Sequence, residues 1–160
     1  MPTIKIRDAV PNDAALILRF IIELATYENA EAEVEATVDT ITSSIFGSSS
    51  CTQAIICEKN GDPIGFSIYF FNYSTWQAKN GLYLEDLYVT PDARGLGAGL
   101  LLLKHLAKIA VSKDCGRFQW QVLDWNKPAI DFYESVGAVA TPEWIGYRLT
   151  GDTLNDFAKS

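Results

Sequence analysis

Leu87-Tyr88-Val89-Thr90-Pro91-Asp92-Ala93-Arg94-Gly95-Leu96-Gly97-Ala98-Gly99-Leu100 is the stretch on which the fold turns. An apolar strand pattern stops at a proline. An arginine and three alternating glycines follow, and then a leucine-rich helical segment begins. Glycine lets the main chain turn tightly and bring its N–H groups against a ligand. The helix that follows presents N–H groups without intrahelical acceptors at the positive end of its dipole. Together these features make a pocket for phosphate oxygens. The plainer alternative is a helix entry whose glycines only make a turn. Three glycines and an arginine within the six residues Arg94–Gly99 argue against it.

The spacing narrows the kind of phosphate. A triphosphate-binding loop places Lys-Ser or Lys-Thr after its last glycine, to reach the outer phosphates and magnesium. Here Gly99 is followed by Leu100-Leu101. A dinucleotide fingerprint needs Gly-x-Gly-x-x-Gly early in a βαβ unit, with an acidic residue about 20 positions on. Asp114 stands near that distance, but Gly95-x-Gly97-x-Gly99 has the wrong interval and lies past the middle of the chain.

Composition bounds the rest. The 160 residues predict a single domain over 1–160, long enough for a substantial core. No apolar run approaches the roughly 20 residues that span a bilayer. Met1-Pro2-Thr3-Ile4-Lys5-Ile6-Arg7 lacks the apolar stretch of a signal peptide, so a cytoplasmic protein without a membrane partner is expected. Cys51, Cys57 and Cys115 are odd in number and scattered, which argues against a disulfide framework and reads each as a small apolar residue. His105 is the only histidine and reads as a solvated helix position. No His/Cys/carboxylate cluster stands at metal-ligand spacing, so no metal is expected. The net charge of −7 disfavours nucleic acid and favours a cationic partner.

Along the chain, alternation predicts strands over 3–8, 52–58, 64–73, 81–89, 117–123 and 144–149. Helical spacing of Ala14, Ile17, Ile21 and Leu24 predicts a helix from Pro11 to about Tyr27. Further helices are predicted over 37–46, 100–112, 128–136 and 152–158. Asn60-Gly61 is a hairpin turn signal, and Gly137 reads as a helix C-terminal cap. The order is mixed α/β with a hairpin-rich first half. Glu28, Glu31, Glu33 and Glu35 form an acidic segment that reads equally as solvated surface or as the mouth of a site for a cation.

Arg94-x-x-Gly97-x-Gly99 resembles the coenzyme A diphosphate loop of the GNAT N-acetyltransferase superfamily. Leu82-Tyr83-Leu84-Glu85-Asp86-Leu87-Tyr88-Val89 before the loop looks like its diamine acetyltransferase group, which includes the spermidine/spermine and thialysine N-acetyltransferases. So do Asp124-Trp125-Asn126, Phe132-Tyr133 and Gly137-Ala138 after it, with Tyr27-Glu28 and Tyr73-Ser74-Thr75-Trp76 upstream. The resemblance runs from Ile6 to about Arg148. It implies the GNAT fold: an α/β domain with a mixed, mostly antiparallel sheet of six to seven strands flanked by helices. It implies acetyl-CoA as cosubstrate and direct attack on its thioester by a primary amine of a small cationic molecule, a diamine, polyamine or thialysine-like compound. It also implies a homodimer.

The resemblance distributes roles. Tyr133 is the acid that protonates the departing thiolate, and Glu85 is the base, acting through a water. An amine with a pKa of about 10.4 must lose a proton before it attacks. Without the resemblance, Tyr133 reads as a core aromatic beside Ile130 and Phe132. Glu85 and Asp86 are adjacent carboxylates in an otherwise apolar strand, costly to bury unless they bind something. Leu84, Leu87 and Val89 predict burial on both sides of Glu85 and argue against a solvated strand end. Backbone groups of Leu87, Tyr88 and Val89 are expected to pair with the pantetheine amides. Arg94, Gly95, Leu96, Gly97, Ala98, Gly99 and Leu100 are expected to hold the diphosphate, with Asn126, Ala129, Phe132 and Tyr133 near the thiol. Tyr27, Glu28, Glu33, Trp76, Glu85 and Asp86 are expected around the amine, Trp76 offering its face to an ammonium.

Two departures bear on substrate. The polyamine enzymes carry an acidic residue where this chain has Ser74, which leans the expectation toward a thialysine-like amine. Ile145-Gly146-Tyr147 stands where the group has Glu-Gly-Trp, so a contact to a substrate carboxylate is lost unless Glu143 replaces it. Two other functions fit the loop: acetylation of a protein or peptide amine, and a coenzyme A sensor without turnover.

Overall fold

Residues 2–160 are described in a computed structural model. They form two compact units that divide after Gln121. In the first, strand β1 (Ile4–Asp8) leads through a 3-10 turn at Pro11–Asp13 into helix α1 (Ala14–Tyr27). A second 3-10 turn (Glu31–Glu33) precedes helix α2 (Val38–Phe46). Strands β2 (Gln53–Lys59), β3 (Asp62–Ser74) and β4 (Lys79–Val89), helix α3 (Ala98–Ser112) and strand β5 (Arg117–Trp120) complete the unit.

The sheet has the order β1-β2-β3-β4-β5. The first four strands pair antiparallel, and β5 runs parallel to β4. This is the mixed, mostly antiparallel α/β architecture expected, with five strands in place of six to seven. The predicted strand over 144–149 does not form, and the segment carries no regular structure. Its aromatic and β-branched residues mark β-propensity, but a strand exists only through a ladder partner, and none pairs with it among the described residues.

Local sequence explains the elements that position the site. Asn60 and Gly61 both adopt positive φ (53° and 89°), the primed turn that joins β2 to β3 with Lys59 opposite Asp62. Alternation along β2 and β3 sends Ala54, Ile56, Phe66 and Ile68 to one face. There they meet Ala14, Ile17 and Phe20 of α1 and Ile41 of α2. Phe20, absent from the sequence-predicted helix face, is the centre of this layer. It stacks on Phe66 at 5.5 Å and leans on Tyr88 at 5.9 Å. Ile21 and Leu24, expected beneath the helix, are only partly buried beside it. The opposite parity (Ile55, Cys57, Ser67, Leu82) is also buried, and α3 packs against β1, β3, β4 and β5 with Leu102 and Leu106 inward.

A charged cluster ties β1 to the start of α1. Arg7 Nε donates to Glu58 Oε1 at 2.7 Å, and its Nη1 and Nη2 donate to the two oxygens of Asp13 at 2.8 and 3.0 Å. The Val10 amide adds a 2.8 Å bond to Asp13 Oδ2. Asp13 is held below its ordinary pKa by the Arg7 hydrogen bonds, against the opposing effect of burial.

Two smaller expectations are corrected. His105 is half-buried on α3, not solvated, because the turns around it face the sheet. Of the cysteines read as apolar, Cys57 is buried, Cys115 is half-buried and Cys51 is exposed in the loop before β2.

The second unit, Val122–Ser160, contains helices α4 (Lys127–Ser135) and α5 (Gly151–Lys159). Asn126 caps α4 by accepting the Ala129 N–H at 3.3 Å, with Pro128 in the first turn. Gly137 ends the helix at φ 93°, and the Tyr133 carbonyl accepts from Val136 and Ala138.

Candidate active site

The first unit holds three connected features. The first is a strand edge. β4 pairs with β5 only from Gly81↔Arg117 to Leu84↔Trp120, while its other edge stays paired with β3 as far as Val89. Glu85–Val89 therefore faces away from β3 with no ladder partner on that side among the described residues. An extended ligand with amide groups can complete such an edge. Leu87, Tyr88 and Val89, expected to pair with the pantetheine, lie in this run.

The second feature is the turn. Gly95 and Gly97 sit at φ 80° and 79°, the left-handed region that side chains with a Cβ seldom adopt. Gly97 is the N-cap of α3, and the first amide bonded inside the helix is that of Leu101, which donates to the Gly97 carbonyl at 3.0 Å. The amides of Ala98, Gly99 and Leu100 thus lie in the first turn, where an anion finds donors and a favourable dipole. Gly99 lies inside the helix, with no heavy atom within 4 Å of where a Cβ would stand. Neither backbone strain nor packing within the chain requires glycine there, and a helical glycine costs about 1 kcal/mol relative to alanine. A close-lying ligand supplies the missing reason, so the residues fit a bound diphosphate.

The third feature is a break in register. Ile68 lies opposite Asp86, but Tyr69 lies opposite Leu84, so Glu85 is an extra residue in β4. Such a bulge re-aims side chains and is frequent beside active sites. It corrects the expectation that Glu85 is buried on both sides: Glu85 is exposed, and Asp86 is half-buried. Through its pairing with Ile68, Asp86 shares the face of Phe66 and Tyr88, toward α1. Burial, with the like charges of Glu85 and Glu28, pushes the Asp86 carboxyl up to about 6. Glu28, the C-cap of α1, is itself raised by burial. Glu28, Glu85 and Asp86 are thus one electrostatic group. Glu33 is exposed in the 3-10 turn and is not among the charges acting on Asp86.

Other expected residues take different places. Tyr27 lies beneath the Arg94 guanidinium, 5.3 Å from ring centroid to Cζ. Trp76 is 89% exposed in the β3–β4 connection. Ser74 is buried and its hydroxyl accepts the Gln77 amide at 3.3 Å, so it serves the turn. The Tyr88 phenol donates to Glu23 of α1 at 3.0 Å, and burial together with that bond pushes it up to about 12, which removes it as a proton donor to a thiolate. The Tyr88–Glu23 contact had no signal in the sequence, since it joins residues 65 positions apart.

In the second unit, Tyr133 lies on α4 with its ring 5.7 Å from that of Phe132. Asn126 and Ala129 are joined by the helix cap, so the Ala129 amide is already used. Among the described residues no group of His, Cys, Asp and Glu is placed to hold a metal ion, and no helix is long and apolar enough to cross a membrane.

The family model described as "Acetyltransferase (GNAT) family" matches residues 19–138. The chain is 37% identical to a thialysine N-epsilon-acetyltransferase of Sus scrofa, covering 99% of both chains. It is 35% identical to a human spermidine/spermine N(1)-acetyltransferase-like protein 1 over 99% of this chain and 24% of that longer protein. Among solved structures, an integron cassette protein from the mobile metagenome of V. cholerae superposes with a TM-score of 0.83 at 31% identity, covering 98% of each chain. The family model and the full-length Sus scrofa relative show that the chain belongs to the acetyltransferase (GNAT) family.

Proposed function

We propose that this chain transfers the acetyl group of acetyl-CoA to a primary amine of a small cationic molecule, a diamine, polyamine or thialysine-like compound. One observation carries the reading. β4 loses its β5 partner after Leu84, and the next two residues are the bulged Glu85 and then Asp86, which feels the charge of Glu28. The thioester arm along the open edge and the ammonium beside the carboxylates then meet at one point of the strand. The −7 net charge favours the approach of a cation. The relatives' printed names, thialysine and spermidine/spermine acetyltransferases, support an amine of this class. Ser74, at a position where polyamine enzymes carry an acid, favours the thialysine-like end of it.

The chemistry follows from the groups. The ammonium gives a proton to the Glu85/Asp86 pair, with a water as relay to Glu85. The freed nitrogen lone pair attacks the thioester carbonyl, the C–N bond forms, and the C–S bond breaks as the intermediate collapses. The thiolate takes the phenolic proton of Tyr133, and the nitrogen sheds its second proton to the resulting tyrosinate, which leaves a neutral amide, a free thiol and a restored phenol. Leu87, Tyr88 and Val89 hold the pantetheine by main-chain bonds. Residues 94–100 hold the diphosphate, and Asn126, Ala129 and Phe132 border the thiol. Tyr27, Glu28, Glu33 and Trp76 border the amine. The chain is further read as one catalytic domain over 1–160 that works as a homodimer in the cytoplasm, as its resemblance to the diamine group implies.

The test is steady-state acetylation of a panel of diamines, polyamines, thialysine and peptide amines. A small amine is expected to be preferred over peptides. Tyr133→Phe is expected to lower kcat about 10²-fold or more, the range of a lost general acid. Unchanged turnover of every active amine by Tyr133→Phe removes its acid role. Release of thiol from acetyl-CoA with no amine of the panel removes the function.

A further inference from the structure

Arg94 opens the glycine turn, and its side chain folds back toward α1. Its Nε donates to the Val89 carbonyl at 3.2 Å, and its guanidinium lies over the Tyr27 ring, Cζ 5.3 Å from the centroid. Tyr27 is the last residue of α1, so the helix carries its ring to the mouth of the loop. The positive charge of Arg94 also reaches the Tyr88 phenol. A guanidinium has five N–H donors in one plane and a face that stacks on aromatics. Here the face is taken by Tyr27 and Nε by Val89. Neither contact uses the terminal N–H groups of the plane. Arginine loses much rotamer freedom when it clamps an anion, and less when it is already held.

We propose that Tyr27 is a positioning residue for the acyl donor: its ring pre-places Arg94 for the diphosphate of acetyl-CoA. This rests on the reading of residues 94–100 as the diphosphate loop. Tyr27 then serves the cofactor as well as the amine, beside which the sequence pattern puts it. Glu28, the next residue, stays with the β4 carboxylates.

The experiment compares two acyl donors, acetyl-CoA and acetyl-pantetheine, which share the thioester but differ in the diphosphate. The readout is the ratio of their kcat/KM values, which cancels any effect on the amine. Tyr27→Leu is expected to lower the preference for acetyl-CoA about two- to fivefold, the size of an exposed cation–π contact. Tyr27→Phe, which keeps the ring, is expected to retain the ratio. Arg94→Ala is expected to lower it further, and adding Tyr27→Leu to Arg94→Ala is expected to change nothing more. Arg94→Lys keeps the charge but not the stacking plane. It is expected to lower the ratio even if Tyr27→Leu folds poorly by circular dichroism. An unchanged ratio in Tyr27→Leu overturns the proposal, as does an equal fall with and without Arg94. No acetyl transfer from either donor by the unsubstituted protein is a separate result, which ends the proposed function instead.

Discussion

The two ends of α1 hold the same chemical groups in opposite states. At the start, Asp13 and Glu58 share the Arg7 guanidinium, and Asp13 also accepts a backbone amide. It sits where the helix dipole favours negative charge. At the end, Glu28 occupies the C-cap, where the dipole disfavours it, and faces Glu85 and Asp86 with no cation among the influences on Asp86. The first cluster is compensated within the chain and has nothing left to bind. The second has no cation among the influences on Asp86, and under the proposed function the substrate ammonium supplies one. The difference separates carboxylates that the chain itself neutralises from those it leaves charged against one another, which residue type alone does not.

The largest effect expected from breaking this contrast is on turnover. Glu85→Gln combined with Asp86→Asn is expected to lower kcat/KM about 10²- to 10⁴-fold, as loss of general base and ammonium partner together. The pair has no role if the double variant keeps full activity on the amine panel. At the other end, Arg7→Ala leaves Asp13 and Glu58 without their cation. Urea unfolding is expected to show a loss of about 3 kcal/mol, and a loss under about 0.5 kcal/mol shows the cluster to be ornamental.

The pH dependence of stability sharpens the contrast further, because the two carboxyl shifts have opposite sign. Asp86 is raised from 3.8 to about 6, so the native chain binds this proton more tightly than the unfolded chain. Its cost to stability appears as pH rises from about 4 to 6 and stays constant above. Asp86→Asn is expected to be more stable than the parent by about 1–3 kcal/mol at pH 7.5, with the gain vanishing below about pH 4. Asp13 is lowered, so its contribution is present above its unfolded pKa and lost as pH falls through the folded one. Asp13→Asn is expected to cost about 1 kcal/mol at pH 7.5 and progressively less on acidification. Denaturant midpoints across pH check both, and parallel curves for the two variants refute the contrast.

What could be read from the sequence follows the range of each interaction. The glycine turn was legible because positive φ at Gly95 and Gly97 and the first turn of α3 are local matters. The Asn60-Gly61 hairpin was legible for the same reason. The bulge at Glu85 was not, since it exists only as a register slip against β3. Tyr27 over Arg94 and Tyr88 on Glu23 join residues far apart in the chain, and no periodicity announces them. Residues 144–149 show the converse failure: a strand pattern with no ladder to join. Trp76 and Glu33, placed near the amine by resemblance, are exposed in this structure, so burial does not single them out.

The edge of β4 from Glu85 to Val89 that has no ladder partner among the described residues also bears on inhibition. A molecule that grips this run through alternating amides would be held by peptide groups, which no point substitution deletes except one to proline. Resistance by side-chain change would then be confined to the neighbouring carboxylates and the loop arginine, the residues on which the proposed chemistry rests.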